Sequence, residues 1–402
     1  MRDDLSGRTL AEARDAYGAD LQFSFYQPTR ITFGVGVLRE LALELKRVGA
    51  ARAVVVTDSF LAEKTPLVDQ LRKVLGDRLA GVWTGVVADA EADTVDAGAG
   101  YARSLGCDAV ISFGGGSAID TAKGIAIVIT EGGQIRDHQG SQRLERRLIP
   151  HLAIPTTAGT GSEVSCFAVI KDARAKEKMH FADDKLVPDI AVLDPAVTVG
   201  MPRSLTAATG LDALTHAVEA FVALPRNPLS DGLAAHAAAL VQRYLLRACE
   251  NPGDLVARGQ MLLASNAAGQ AFSAAGVGLC HALAHVIGAR HHVHHGTANA
   301  ILLPHVVRFN AVELSDRYRD LALAMGLDVR DSSEAVAAEA LANAIADLIS
   351  ASGLPTRLRD AGVPEADLSA SAEQALSDGA IVYNGRFAAD AELTLEVLRA
   401  AF

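Results

Sequence analysis

The sequence predicts two domains: an α/β N-terminal domain over residues 1–197 and an all-α C-terminal domain over residues 198–402. Three observations carry this. At 402 residues the chain outgrows a single core of roughly 100–200 residues. Through the first half, short β-branched runs alternate with amphipathic helical runs, the pattern of parallel βαβ units. From Ser204 onward, long Ala/Leu-rich stretches of helical period replace them.

In chain order, residues 22–32 alternate aromatic and β-branched side chains and end in Phe33-Gly34-Val35-Gly36. This predicts an edge hairpin leading into a helix at 37–48. A strand at 52–57, a helix at 61–75, a strand at 79–86, a helix at 94–105 and a strand at 108–112 follow, and together they describe a doubly wound nucleotide-binding domain. A last strand at Ile190–Leu193 is stopped by Asp194-Pro195, because proline restricts the residue before it. In the second half, Pro225, Pro252-Gly253, Gly296, Pro304 and Gly353-Leu354-Pro355 are expected to break the helices.

A net charge of −11 gives neither a nucleic-acid backbone nor an anionic membrane an electrostatic reason to bind, which leaves small molecules as partners. The longest apolar runs, at 53–56 and 124–129, are far shorter than the roughly 20 residues of a membrane helix. Residues 1–20 mix both charge signs without an apolar run, so no signal peptide is expected and the expected location is the cytoplasm. Cys107, Cys166, Cys249 and Cys280 lie far apart in apolar contexts and read as reduced and mostly buried.

Two glycine- and hydroxyl-rich loops follow strands. In the first, Gly114-Gly115-Gly116-Ser117 separates the strand ending at Ser112 from a helix, so backbone amides and a helix N-terminus can cradle a pyrophosphate. The competing reading is a packing turn, since GGGS is neither GxGxxG nor a P-loop. The second, with Thr156, Thr157 and Ser165 in IPTTAGTGSEVS at 154–165, suits a ribose, carboxamide or phosphate, and on its own reads more readily as a plain turn and N-cap. Asp58 directly follows a strand, where a carboxylate accepts from an adenosine ribose hydroxyl and repels a 2′-phosphate, favouring NAD over NADP; helix capping is the alternative.

Asp212 and His216 stand four apart on a helical run and therefore share one face. Seven of the twelve histidines fall between His281 and His305. Within that cluster His281 and His285 are again four apart, and His295 follows on a turn ending in Gly296. One carboxylate with two or three imidazoles suits Fe²⁺, Zn²⁺ or Mn²⁺ and leaves a position open for substrate.

The segments GGGSAIDTAKG at 114–124, IPTTAGTGSEVS at 154–165, AATGLDALTHAVEAF at 207–221 and GLCHALAHVIGARHHVHHGTANAILLPH at 278–305 resemble the iron-containing (group III) alcohol dehydrogenases, a family that includes lactaldehyde and propanediol oxidoreductases. The resemblance implies hydride transfer between NAD(H) and a small alcohol or aldehyde, with Fe²⁺ preferred and Zn²⁺ the alternative. It implies metal ligands at Asp212, His216, His281 and His295, with His285 near the nicotinamide as a proton relay. It also implies dinucleotide contacts at Asp58, Gly115, Gly116, Ser117, Asp120, Thr156, Thr157, Ser165 and Lys178.

Two positions depart from the family pattern: Asp89 stands where an Asn often meets the cofactor, and His291-His292-Val293-His294-His295 replaces a Pro-His. Phe167, Phe272, His291 and His292 are expected to shape the substrate pocket. A homodimer through the edge near residues 22–32 is expected, because exposed edges invite pairing. The alternative function is a metal- and NAD-dependent lyase of the dehydroquinate-synthase type, which needs a Lys/Arg cluster around a phosphate; none is evident near residues 281–295. A metallohydrolase would need a general-base Glu between its histidines, where Ala, Leu and Ala stand.

Overall fold

The computed structural model describes residues 21–175 and 177–402; the reading of residues 1–20 lies outside them. Six strands, β1 (Arg30–Phe33), β2 (Ala53–Asp58), β3 (Leu79–Val86), β4 (Ala109–Gly114), β6 (His151–Pro155) and β9 (Ile190–Leu193), form a parallel sheet of order β1-β9-β6-β4-β2-β3. Strands β2, β4, β6 and β9 are buried on both faces, which is why they read as continuous apolar runs. The chain passes from β2 outward to β3 and then back to β4 on the other side of β2. This reversal opens a crevice at the carboxyl ends of β2 and β4, where doubly wound sheets bind ligands.

The edge differs from the expected hairpin. Residues 21–29 belong to no strand, and β1 pairs in parallel with β9, its Arg30 N–H donating to Asp189 O at 2.9 Å. Alternation pointed to an edge strand but carried no information about its partner, and β1 is exposed at three of its four residues. The helix expected at 61–75 is two, α2 (Ser59–Lys64) and α3 (Leu67–Leu75), broken at Thr65-Pro66 where the ring cannot continue the ladder.

A second sheet was not anticipated. β5 (Gly140–Ser141), β8 (Glu177–Ala182) and β7 (Phe167–Asp172) form a three-stranded sheet in which β7 and β8 are antiparallel. The charged tip between β7 and β8 masks the hairpin in the sequence. α4 (Ala92–Ser104) and α5 (Gly116–Glu131) cover the main sheet, and residues of β7 and β8 join their core.

The second half holds the helices α6 (Arg203–Val222), α7 (Pro228–Glu250), α8 (Leu255–Ala275), α9 (Leu279–His291), α10 (His295–Ala324), α11 (Glu334–Ser352), α12 (Leu368–Ala375) and α13 (Ala391–Ala401). Every residue of α6 from Thr206 to Val222 is buried, so it is the central helix and is apolar all round apart from its site residues. α8 and α9 meet at 106°. Gly296 and Pro304 do not break helices: both lie inside α10, whose packing along α6 and α11 overrides the missing proline N–H. α11 is apolar and long enough by composition to cross a membrane, yet it buries Ala337, Leu341, Ile345 and Leu348 in the helical core. All four cysteines are free, with Cys249 and Cys280 buried and the other two half-buried.

The domains interlock at two glycines. Gly161, in the left-handed region at φ 62°, packs against Gly269 of α8, where an added Cβ would lie 2.8 Å from Gly161 Cα and 2.9 Å from its carbonyl oxygen. Gly269→Ala gains about 1 kcal/mol of helix propensity. A backbone neighbour cannot rotate away, so overpacking of about 1–3 kcal/mol outweighs that gain. The expected result is a lower thermal midpoint, because a backbone segment packed on α8 is displaced; a midpoint above wild type would refute it.

Candidate active site

α6 presents Asp212, His216 and Glu219 on one face, spaced four and three apart. α9 contributes His281 and His285, and α10 contributes His295 and Asn299. One ligand atom from each of Asp212, His216 and His281 lies within 4.8 Å of the others, and all three residues are buried. His295 joins them, its Nε2 3.4 Å from Asp212 Oδ1. It is the first residue of α10 rather than part of a turn. A Cβ on Gly296 would lie 2.2 Å from Ala208 O, so only glycine lets α10 start close enough to α6 to bring His295 to Asp212.

Burial raises the Asp212 carboxyl, but the three imidazoles around it outweigh that and hold it down at about 2, so it is ionised. Burial lowers His216 to about 4, against the pull of Asp212, and depresses His295 well below the usual imidazole range. Those rings are neutral and keep a lone pair for a ligand. His281 is the exception: burial lowers it, but Glu219, whose Oε2 sits 2.6 Å from its Nδ1, turns the net shift upward. The Asn299 amide nitrogen reaches Asp212 Oδ1 at 2.8 Å, His295 Nε2 at 3.1 Å and His281 Nε2 at 3.3 Å, while its buried Oδ1 has no partner. A buried carboxylate with three imidazoles around it, His216 keeping a buried Nδ1 without a partner, fits a divalent cation.

On the sheet side, the two loops interlock at the crevice. Thr156 N–H donates to Gly114 O at 2.9 Å, and a Cβ on Gly116 would lie 2.8 Å from Thr160 Cγ2. Gly116 opens α5, so Gly115, Gly116 and Ser117 present the free amides of a helix N-terminus there. Ser117 Oγ accepts from Asp89 N–H at 3.2 Å, and Asp89 itself takes a left-handed φ of 58°. Asp58 caps α2 through Oδ1, accepting from Leu61 N–H at 2.8 Å, while its Oδ2 faces Gly114 across the crevice. The capping reading of Asp58 therefore holds, with its second oxygen directed toward Gly114.

In the family comparison, residues 28–195 match the description "Iron-containing alcohol dehydrogenase" and residues 206–402 match "Fe-containing alcohol dehydrogenase family, C-terminal". The chain belongs to the iron-containing alcohol dehydrogenases. It is 38% identical over 369 residues to the NAD-dependent methanol dehydrogenase of Bacillus methanolicus, covering 91% of this chain and 96% of that protein. It is 38% identical over 385 residues to the 1,3-propanediol dehydrogenase of Citrobacter freundii, covering 94% and 99%. A crystal structure of a 1,3-propanediol oxidoreductase superposes with a TM-score of 0.92 at 35% identity over 95% of this chain and all of that one. The alcohol dehydrogenase of Oenococcus oeni gives 0.92 at 33% identity, with 95% and 100% covered.

This alcohol dehydrogenase is accordingly an oxidoreductase exchanging hydride between a nicotinamide dinucleotide and an alcohol or aldehyde, and the lyase alternative is not favoured. Some expected contact residues are engaged elsewhere. Asp120 Oδ2 accepts from Val169 N–H at 3.0 Å and ties α5 to β7. Ser165 receives the buried Lys123 ammonium, which donates to Ser165 O at 2.8 Å, Ser165 Oγ at 3.3 Å and Phe167 O. Lys178 lies on the small sheet in register with Lys171. Phe272 stacks on His216 with centroids 4.4 Å apart, and Phe167 packs against it at 6.3 Å. His291 instead pairs with Asp367 at 2.8 Å, and His292 and His294 are exposed.

Sequence reasoning missed Glu219, Asn299, Lys123 and Asp378. The first two were recoverable, since Glu219 continues the 212, 216 face by one turn and Asn299 sits four residues after His295. Asp378 was not, because its partner His285 lies 93 residues away.

Proposed function

We propose that this enzyme reduces small aldehydes to alcohols, and the reverse, with NAD(H), using Fe²⁺ held by Asp212, His216, His281 and His295. Zn²⁺ suits the same donors. The observation that carries the reading is the convergence of one buried carboxylate and three imidazoles beside a glycine-lined crevice.

In this reading the bound ion supplies Lewis-acid stabilisation of negative charge on the reacting oxygen. Gly115, Gly116 and Ser117 hold the pyrophosphate at the α5 N-terminus with Thr156 and Thr157 alongside, and Asp58 Oδ2 accepts from an adenosine ribose hydroxyl, excluding a 2′-phosphate. Asp120, Ser165 and Lys178 complete the dinucleotide side, the first two by setting the loops. Phe167 and Phe272 keep water from the hydride path. His285 moves the proton that the alcohol gives up.

The domain division is placed at residue 197. A cytoplasmic homodimer is proposed, supported by the exposed Phe23, Tyr26, Ile31, Phe33 and Val35 along the β1 edge. The test is NADH oxidation by anaerobically Fe²⁺-reconstituted protein over a panel of short aldehydes, with NADPH in parallel. Turnover with NADH exceeding that with NADPH is expected. Silence on every carbonyl, with metal and NADH bound, would remove the proposal.

A further inference from the structure

His285 is held by a group that no metal or dinucleotide role accounts for. Asp378 precedes the short turn Gly379–Tyr383, after α12, and reaches back to α9 from the C-terminal segment. Its Oδ2 accepts from His285 Nδ1 at 2.8 Å, while its Oδ1 accepts from Ala380 N–H at 2.9 Å. Each oxygen has one task, one to the imidazole and one to its own backbone. Both partners are largely enclosed, with side chains 24% and 14% exposed for His285 and Asp378.

The consequence is a fixed ring. A carboxylate can only accept, so the proton between them resides on Nδ1, and Nε2 on the opposite edge is the nitrogen left to exchange a proton. The ring lies 5.3 Å from His295 in a stacked arrangement, 5.9 Å from His281 edge-on and 6.4 Å from His180 of β8. His285 therefore stands between the metal-ligating helices and the small sheet of the other domain, with one nitrogen already committed.

We propose that Asp378 is a positioning residue for hydride transfer: it locks His285 in the tautomer and orientation that present Nε2 to the alcohol proton. The inference rests on the role given to His285 above. The bland alternative is that Asp378 only caps the Gly379–Tyr383 turn, and side-chain chemistry separates the two. Serine also caps but is too short to reach the imidazole, whereas asparagine has a single oxygen and offers it to Nδ1–H only at the expense of the cap.

The experiment compares Asp378→Ser, Asp378→Asn, His285→Ala and the Asp378→Ser/His285→Ala double variant in NADH-dependent reduction of the best aldehyde of the panel, with thermal midpoint and metal content measured for each. Expected is a kcat roughly tenfold to a hundredfold lower in Asp378→Ser with KM for NADH, midpoint and metal content held. Asp378→Asn should recover part of that loss at a lower midpoint, its one oxygen turned to Nδ1–H and the cap given up, and the serine change should add nothing in the His285→Ala background. Asp378→Thr, a second capping side chain, stands in should the serine variant fail to fold. Full kcat in Asp378→Ser, or an equal loss on top of His285→Ala, would each overturn the inference while leaving hydride transfer intact. A wild type inactive on every aldehyde would instead sink the hydride-transfer reading itself.

Discussion

Asp212→Ala is expected to take the metal and the activity together. Asp212 is 4% exposed and is the one carboxylate among the proposed ligands, with His295 Nε2 and Asn299 Nδ2 at 3.4 and 2.8 Å from its Oδ1. Neutral imidazoles bring no charge to offset a divalent ion in a buried site, so the anion supplies most of the electrostatic hold. Lewis-acid stabilisation is worth several kcal/mol, and each 1.4 kcal/mol is about tenfold in rate, so kcat should fall at least about a hundredfold. Fold stability should suffer far less than activity, because removing a desolvated charge relieves its burial cost. Metal analysis, aldehyde reduction and thermal unfolding on the same sample check this. A variant that retains a full complement of metal and wild-type kcat would rule out Asp212 as a ligand.

The cluster of Asp212, His216 and His281 was legible because 212 and 216 share a helix face and 281 opens the histidine-rich run, whereas His295 as its proposed fourth member came from the family resemblance alone. The strands β2, β3, β4 and β9 were legible for the complementary reason, continuous or alternating β-branched runs between turn residues. What failed was non-local. The β1 strand pairs with β9, over 150 residues on, as the Thr29 hydroxyl to Pro188 O bond with its separation of 159 illustrates. Asp378 approaches His285 from the far end of the chain for the same reason. Asp120 and Ser165 have conspicuous places in their motifs, and the hydrogen bonds they make to β7 and Lys123 are long-range partners that composition does not encode.

Glu219 should govern how tightly that metal is held. It is 2% exposed and accepts from His281 Nδ1 at 2.6 Å, Cys280 N–H at 2.6 Å and His281 N–H at 3.4 Å. Cys280 and His281 are the second and third residues of α9, so a carboxylate from α6 satisfies amides that have no partner inside their own helix and meets the positive end of the α9 dipole. The same contact turns His281 Nε2 toward Asp212, 3.9 Å away. Glu219→Gln preserves volume but brings an amide N–H against one of these donors, so metal affinity, read by competition with a chelator, should drop about 10- to 100-fold. Glu219→Ala leaves three donors unmatched in the core, and at about 1–3 kcal/mol for each buried unsatisfied group the metal-free protein should lose at least roughly 3 kcal/mol of stability. The two variants divide the roles: the glutamine tests orientation of the ligand and the alanine tests the junction of α6 with α9. Wild-type metal affinity in Glu219→Gln would mean that His281 needs no partner at Nδ1, and the convergence of ligands would then rest on helix packing alone.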